Sequence, residues 1–371
     1  MAAKTDLDGS RIARLASGLE SLEVDALLVD SLVNVRYLTG FTGSNGLVLV
    51  FKDGAELAPH RFLTDFRYTT QAAEQVPEEL ERQIVKGELL EALPPLLGAG
   101  SGRLGFDETE LTVRTHRKLL ELLPSGWEPI ACNGAVERLR AIKDVAEVAR
   151  IRAASQLADQ ALREVLEGGL AGRTEHEVAV ELELRMRRLG AESPSFPSIV
   201  AAGANGALPH AEPREQEIPR DVLVTIDWGA VLEGYCSDCT RTYATGEGVS
   251  QEARDVYGVV LDAQLQGLAA VQAGRSGREV DAVARGVIES AGFGEEFGHG
   301  LGHGVGMEVH EGPRLSRTAS EDPLVAGNVV TVEPGIYLPG RLGVRIEDLV
   351  VVHEETQDVL TSLSKELTVI S

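Results

Sequence analysis

The chain has only three cysteines among its 371 residues, Cys132, Cys236 and Cys239. An odd number in a chain of this size argues against a disulfide framework. Cys236 and Cys239 form a C-x-x-C, but no second pair exists to complete a zinc site, and residues three apart on a strand face opposite ways. Basic residues are also in deficit. There are 35 Lys and Arg against 58 Asp and Glu, a net charge of -23, which argues against a nucleic-acid partner because phosphate binding needs clustered cations. No run of about 18 apolar residues occurs, so no membrane partner is expected. The opening MAAKTDLDGSRIARLASGLE lacks an apolar signal core, and the expectation is a cytoplasmic protein. Low-complexity tracts are missing as well. At 43% hydrophobic and 25% charged, this is ordinary globular composition with chain enough for two domains.

Residues 1–132 alternate strand-like stretches (26–29, 46–51, 61–64 and 127–130) with helical spacing of apolar residues (11–22, 89–97 and 112–123). They predict a small α/β domain without catalytic spacing. Residues 133–143 read as a linker, and 144–371 as a second domain. Asp144 with Glu147 three residues on is a helix-start signal, so a helix is expected from Val145 to about Glu167, stopped by Gly168-Gly169. An internal repeat follows. Ala171-Gly172-Arg173-Thr174 with Glu177-Val178 recurs as Ala273-Gly274-Arg275-Ser276 with Glu279-Val280, an offset of 102 residues that also maps Gly190 onto Gly292. Two copies are too few for a solenoid; they predict an α+β domain with pseudo-twofold symmetry and a cleft between its halves.

Each half carries acids at strand ends. The β-branched run Val222 to Ile226 leads into Asp227, Gly234 suits a turn, and the strand-like run 235–244 contains Asp238. One such aspartate by itself is equally well explained by pairing with Arg241. The pattern recurs, however: Asn328 to Val332 ends on Glu333 before Pro334-Gly335, and Leu342 to Ile346 leads to Glu347-Asp348. Between them lies His299-Gly300-Leu301-Gly302-His303-Gly304-Val305-Gly306, then His310-Glu311-Gly312-Pro313. No lysine completes a phosphate loop, and no H-E-x-x-H is present. Four converging carboxylates without a cation would repel one another. Two divalent ions held by Asp227, Asp238, His303, Glu333 and Glu347 relieve that repulsion. An oxygen-rich set with one imidazole suits Mn²⁺ or Co²⁺, and Zn²⁺ or Fe²⁺ less clearly.

From about Asp144 onward these blocks, together with Ser198-Ile199-Val200 to His210 and Arg345-Ile346-Glu347-Asp348, resemble the creatinase/methionine-aminopeptidase ("pita-bread") metallopeptidases, particularly the aminopeptidase P and Xaa-Pro dipeptidase (prolidase) branch. Asn34 to Phe41 and Leu63-Thr64-Asp65 resemble the creatinase-type N-terminal domain that precedes it. The resemblance implies that Asp227 binds one ion, that Asp238 and Glu347 bridge both, and that His303 and Glu333 bind the other. Glu333 would also accept a proton from the bridging water. His210, His299 and His310 would hold substrate and relay protons, and Arg345 would be a substrate-side arginine. Hydrolysis of the bond between an N-terminal residue and proline by a homodimer is the implied activity, with Gly302, Gly304 and Gly306 leaving room for the proline ring. The alternative is a metal-free creatinase-like amidinohydrolase or a peptide-binding pseudoenzyme of the same fold. His60, His116, His176 and His353 are read as structural.

Overall fold

A computed structural model of the chain describes residues 10–54 and 59–371; residues 1–9, where the first expected domain opens, lie outside them. The chain divides into two compact units, one ending at Arg140 and one running from Ala141 to Ser371. That division falls inside the stretch read as a linker.

In the first unit the described residues form a mixed six-stranded sheet. Its order is Leu80–Val85, His60–Asp65, Gly46–Phe51, Ala26–Val29, Gly102–Phe106 and Trp127–Ala131. Four of these strands are legible as apolar runs. Leu80–Val85 is not, because as a largely exposed edge strand it carries Glu81, Arg82 and Gln83; Gly102–Phe106 is interrupted by glycines. The expected first helix stops at Gly18 instead of Leu22. The 89–97 stretch splits into a 3-10 turn and the short helix Leu93–Leu97, because Pro94 and Pro95 lack the N–H groups that a continuous helix needs.

The second unit has the expected two halves. Helix Val145–Leu166 opens with a capping box between Asp144 and Glu147. The repeat gives two helices of 14 residues each, Glu175–Arg188 and Gly277–Ser290, opened by capping boxes at Thr174 and Ser276. Gly190 and Gly292, just past their ends, have φ of 113° and 87°. The likeness extends to tertiary contacts. The Gly172 N–H donates to Ile218 O, and the Gly274 N–H to Leu324 O, both at 2.9 Å. One apolar core lies under each half, around Leu162, Leu182 and Ile226 in the first and Val260, Ile288 and Val332 in the second.

Three of the acids occupy interruptions in paired strands, and the fourth, Asp227, lies near the end of one. In the first half, Leu223–Trp228 pairs antiparallel with Cys239–Ala244, Asp227 facing Thr240. Beyond Gly229 the hairpin continues as Ala230–Leu232 against Tyr235–Cys236, turning through Glu233 and Gly234, both at positive φ. Asp238 is therefore not inside a strand, as its neighbours suggest, but in the break between two. The Ser237 hydroxyl accepts the Ala230 N–H at 3.0 Å, a side chain taking the place of the regular ladder. In the second half, Val329–Val332 pairs with Asp348–Val352 and Gly335–Leu338 with Leu342–Arg345, leaving Glu333 and Glu347 in the matching breaks.

The C-terminal segment is latched behind this frame. Arg241 and Asp348 form an ion pair at 2.8 Å, with side-chain exposures of 1% and 2%. Arg241 also donates to Leu363 O and Ser364 O, while Asp348 accepts from Lys365, Gln264 and Thr361. Burial opposes the Asp348 charge, but Arg241 and Lys365 keep its pKa below the usual aspartate value. Arg241→Met takes from the buried Asp348 its fully buried cation and leaves it only the partly exposed Lys365. The expected loss is about 3–5 kcal/mol for the unfolding of this unit in urea, and a loss under about 1 kcal/mol would remove the pair from any stabilising role.

Candidate metal centre and active site

All nine residues singled out in the sequence line one cavity of about 850 Å³: His210, Asp227, Asp238, His299, His303, His310, Glu333, Arg345 and Glu347. Asp227, Asp238 and Glu347 each offer a carboxylate oxygen, and these atoms lie within 4.8 Å of one another. His303 Nε2 stands 3.3 Å from Glu333 Oε1 and 3.7 Å from Asp238 Oδ2. The halves are joined at the centre, where Glu347 donates its N–H to Thr240 O and accepts the Thr240 hydroxyl at 2.7 Å.

Ring orientations follow from acceptor-only neighbours. His303 Nδ1 is 3.1 Å from Gly304 O. A carbonyl only accepts, so Nδ1 carries the hydrogen and the lone pair of the neutral ring lies on Nε2, toward the acids. By the same logic His299 Nδ1 donates to Gly300 O at 2.8 Å, and its Nε2 accepts from the Tyr337 hydroxyl at 2.9 Å. The Tyr337 oxygen in turn accepts from Arg345 at 2.8 Å. His210 and His310 are exposed at the mouth, the His310 ring 4.2 Å from that of His303.

Arg345 is 4% exposed and all of its donors point inward: to Asp227 Oδ2 at 2.7 Å, Thr240 Oγ1, Tyr337 and Pro209 O. The aspartate partner suggested by sequence proximity, Arg241, instead meets Asp348 on the other side of the strands.

Charge is crowded here, and the titration directions record it. Burial pushes Asp238 and Glu347 well above the usual carboxylate range, and neighbouring acids add to the effect. Asp227 is also raised by burial, with Arg345 opposing. Burial acts on Glu333 in the same direction, but the His303 hydrogen bond and charge outweigh it and bring Glu333 to about 2. Burial lowers His303, and its bond to Glu333 more than restores it, leaving a raised value. His310 is lowered by burial and by His303.

The residues present fit divalent metal. Asp227 Oδ1 is buried without a hydrogen-bond partner, a lone pair left for a cation. Among the described residues the four carboxylates have one guanidinium hydrogen-bonded among them, Arg345 on Asp227, and the His303 lone pair faces the same space. This is a hard, oxygen-rich donor set.

Three lining or supporting groups escaped the sequence reading. Tyr337 is a polar aromatic in the otherwise apolar strand Gly335–Leu338, a signal that was available. Thr240 looks like any strand threonine until it meets Glu347. Arg314 is exposed on the lining just after Pro313. The glycines serve another purpose than the one expected. A Cβ on Gly302 would run into Thr331 O, and one on Gly304 into Gly312 O. What they admit is neighbouring backbone, not a proline ring.

A pseudo-twofold domain with crowded acids and the half-buried His303 at its centre, and His210 and His310 at its mouth, has the donor set of a metal-dependent hydrolase. Comparison with known proteins agrees. Residues 149–354 match the model of metallopeptidase family M24, and residues 11–142 that of the creatinase/prolidase N-terminal domain. The Xaa-Pro dipeptidase of Pyrococcus furiosus is 34% identical over 358 residues, covering 96% of this chain and 99% of that protein. A Bacillus subtilis peptidase, YqhT, is 42% identical over 97% of this chain and 100% of its own length. Among solved structures, an Xaa-Pro dipeptidase from Bacillus anthracis superposes with a TM-score of 0.91 at 40% identity, covering 97% of this chain and 99% of that one. An X-Pro aminopeptidase from Thermotoga maritima superposes with a TM-score of 0.85 at 36% identity, covering 95% and 99%. The chain belongs to metallopeptidase family M24, and it is a peptidase.

These pKa directions predict how stability depends on metal. Asp238 and Glu347 titrate higher folded than unfolded, as does His303. Their contribution is therefore complete below the unfolded values and is lost as pH rises through the folded ones. Glu333 has the opposite sign, but its window lies between about 2 and the ordinary glutamate value of 4.5. Chelated protein should thus lose thermal stability as pH rises from the ordinary carboxylate range through neutrality, and added Mn²⁺ should raise Tm more at the higher pH. Equal gains at both pH values would contradict this account.

Proposed function

We propose that this protein hydrolyses the peptide bond between an N-terminal residue and proline. Asp227, Asp238, His303, Glu333 and Glu347 hold two divalent ions, manganese being favoured by the donor set. The observation that carries the reading is the convergence of all nine residues on one cavity, supported by relatives named for Xaa-Pro cleavage. The bound ions supply Lewis acidity, polarising the scissile carbonyl and lowering the pKa of an attacking water. Glu333, ionised at neutral pH, accepts a proton from that water. His310 and His210, exposed at the mouth, face the substrate and relay protons to the leaving nitrogen. His299, Tyr337 and Arg345 form a hydrogen-bonded chain that holds Asp227 in place. The reading includes a cytoplasmic homodimer. Cysteines that are few and odd in number accord with a reducing compartment, and the dimer is carried by the family resemblance.

Proline is a demanding leaving group. Its nitrogen has no N–H and its ring fixes φ, so a site that accepts it must protonate a hindered tertiary amide. Ala-Pro should be cleaved at least about tenfold better than Ala-Ala in kcat/KM, roughly 1.4 kcal/mol. Activity should vanish on chelation and return with Mn²⁺, with two ions per chain in the active protein. Equal rates on the two substrates would leave only a general metal-dependent aminopeptidase.

Arg314 extends the reading to substrate length. Arg345 is committed inward, whereas Arg314 is exposed on the lining, so Arg314 is the guanidinium free to pair with the carboxylate of an Xaa-Pro dipeptide. Arg314→Ala should raise KM for Ala-Pro about tenfold and change KM for Ala-Pro-amide little. A matching rise on both substrates would count against carboxylate recognition.

A further inference from the structure

Glu175 is a buried carboxylate that forms no ion pair among the described residues. It is 3% exposed and occupies the first position of the helix Glu175–Arg188. The capping box of that helix is already complete with Thr174 and Glu177, so Glu175 is not needed to start it. It accepts three hydrogen bonds instead, all from one segment: the Ala202 N–H at 2.6 Å, Asn205 Nδ2 at 2.8 Å and the Arg214 N–H at 2.9 Å. Asn205 also donates to Glu212 O, and the His176 N–H to Arg214 O. Both ends of the 202–214 segment are thus tied to the start of the helix. Pro209 and His210 lie between them, on the lining of the cavity.

The other half has a counterpart. Gly277 stands 102 residues later, at the first position of the second repeat helix. A Cβ there would collide with Arg314 O, so that helix start lies directly against the strand Glu311–Leu315, which follows His310. The same position of a duplicated helix therefore serves the two substrate-side segments by different means, a carboxylate on one side and a close backbone contact on the other.

We propose that Glu175 is a positioning residue for the peptidase reaction, holding the 202–214 segment so that His210 meets the substrate. The proposal rests on the reading of His210 as a substrate-side residue. A carboxylate is required, because three N–H donors converge on its two oxygens, and an amide would turn one NH₂ toward a donor.

The test is a double-mutant cycle on the Mn²⁺-loaded full chain with Ala-Pro. Glu175→Gln should lower kcat/KM about tenfold with metal content unchanged. Added to His210→Ala, it should cost less than about twofold more, since the residue it positions is gone. Asn205→Ala, which removes one donor and keeps the carboxylate, is the milder second variant and should show the same dependence on His210. Equal losses in both backgrounds, or loss of metal with Glu175→Gln, would overturn the proposal. If His210→Ala is impaired while neither Glu175→Gln nor Asn205→Ala is, the clamp alone fails. If His210→Ala is fully active, the substrate-side role of His210 falls with it, whereas cleavage before proline is judged separately by the Ala-Pro and Ala-Ala rates.

Discussion

Burying four carboxylates around one cavity is the constraint on which the rest of this structure depends. Asp227, Asp238, Glu333 and Glu347 repel one another in a poorly hydrated site, and one guanidinium, Arg345, stands among them. Such crowding persists only when the backbone over-determines it. Here each half supplies one interrupted hairpin. The interruptions turn acids out of the ladders, and Thr240 ties Glu347 to the opposite half through both backbone and side chain.

Two ionic systems share this frame without mixing. Glu347 and Asp348 are adjacent in the chain, yet one lines the cavity while the other meets Arg241, Lys365 and Gln264 behind the strands. The rear carboxylate is satisfied by two cations and contributes stability. The front system is under-neutralised and contributes affinity for cations. Keeping Arg241 to the rear matters, because a second guanidinium among the acids would satisfy them and weaken the case for a metal.

The duplication explains how the histidines are presented. Both halves start their repeat helix with the same capping box, and both bring that start against a segment of the cavity wall. The halves have then diverged at the first helical residue, Glu175 in one and Gly277 in the other. Acids come from both halves of the symmetric frame, whereas the groups at the mouth, His210, His310 and Arg314, come from segments that differ between the halves. The chemistry is central and shared; recognition is peripheral and individual.

What the sequence determined by itself was local or periodic: apolar runs that end on acids, three helix-start signals, a 102-residue repeat, and glycines alternating with histidines. Those patterns supported the pseudo-twofold α+β fold and five candidate ligands, Asp227, Asp238, His303, Glu333 and Glu347; the family resemblance added His210, His299, His310 and Arg345, and all nine share one cavity. Tertiary structure alone decided who meets whom. Arg241, three residues from Asp238, turned to Asp348, while Arg345, 118 residues from Asp227, became its partner. Asp238 sits in a break because Ser237 replaces a ladder bond, and Tyr337, Thr240 and Glu175 act only through partners distant in the chain. The physical reason is the same in each case. Propensity and periodicity act over a few residues, but a buried charge or donor must be satisfied by whatever the packed chain brings within about 3 Å, and sequence distance places no limit on that choice.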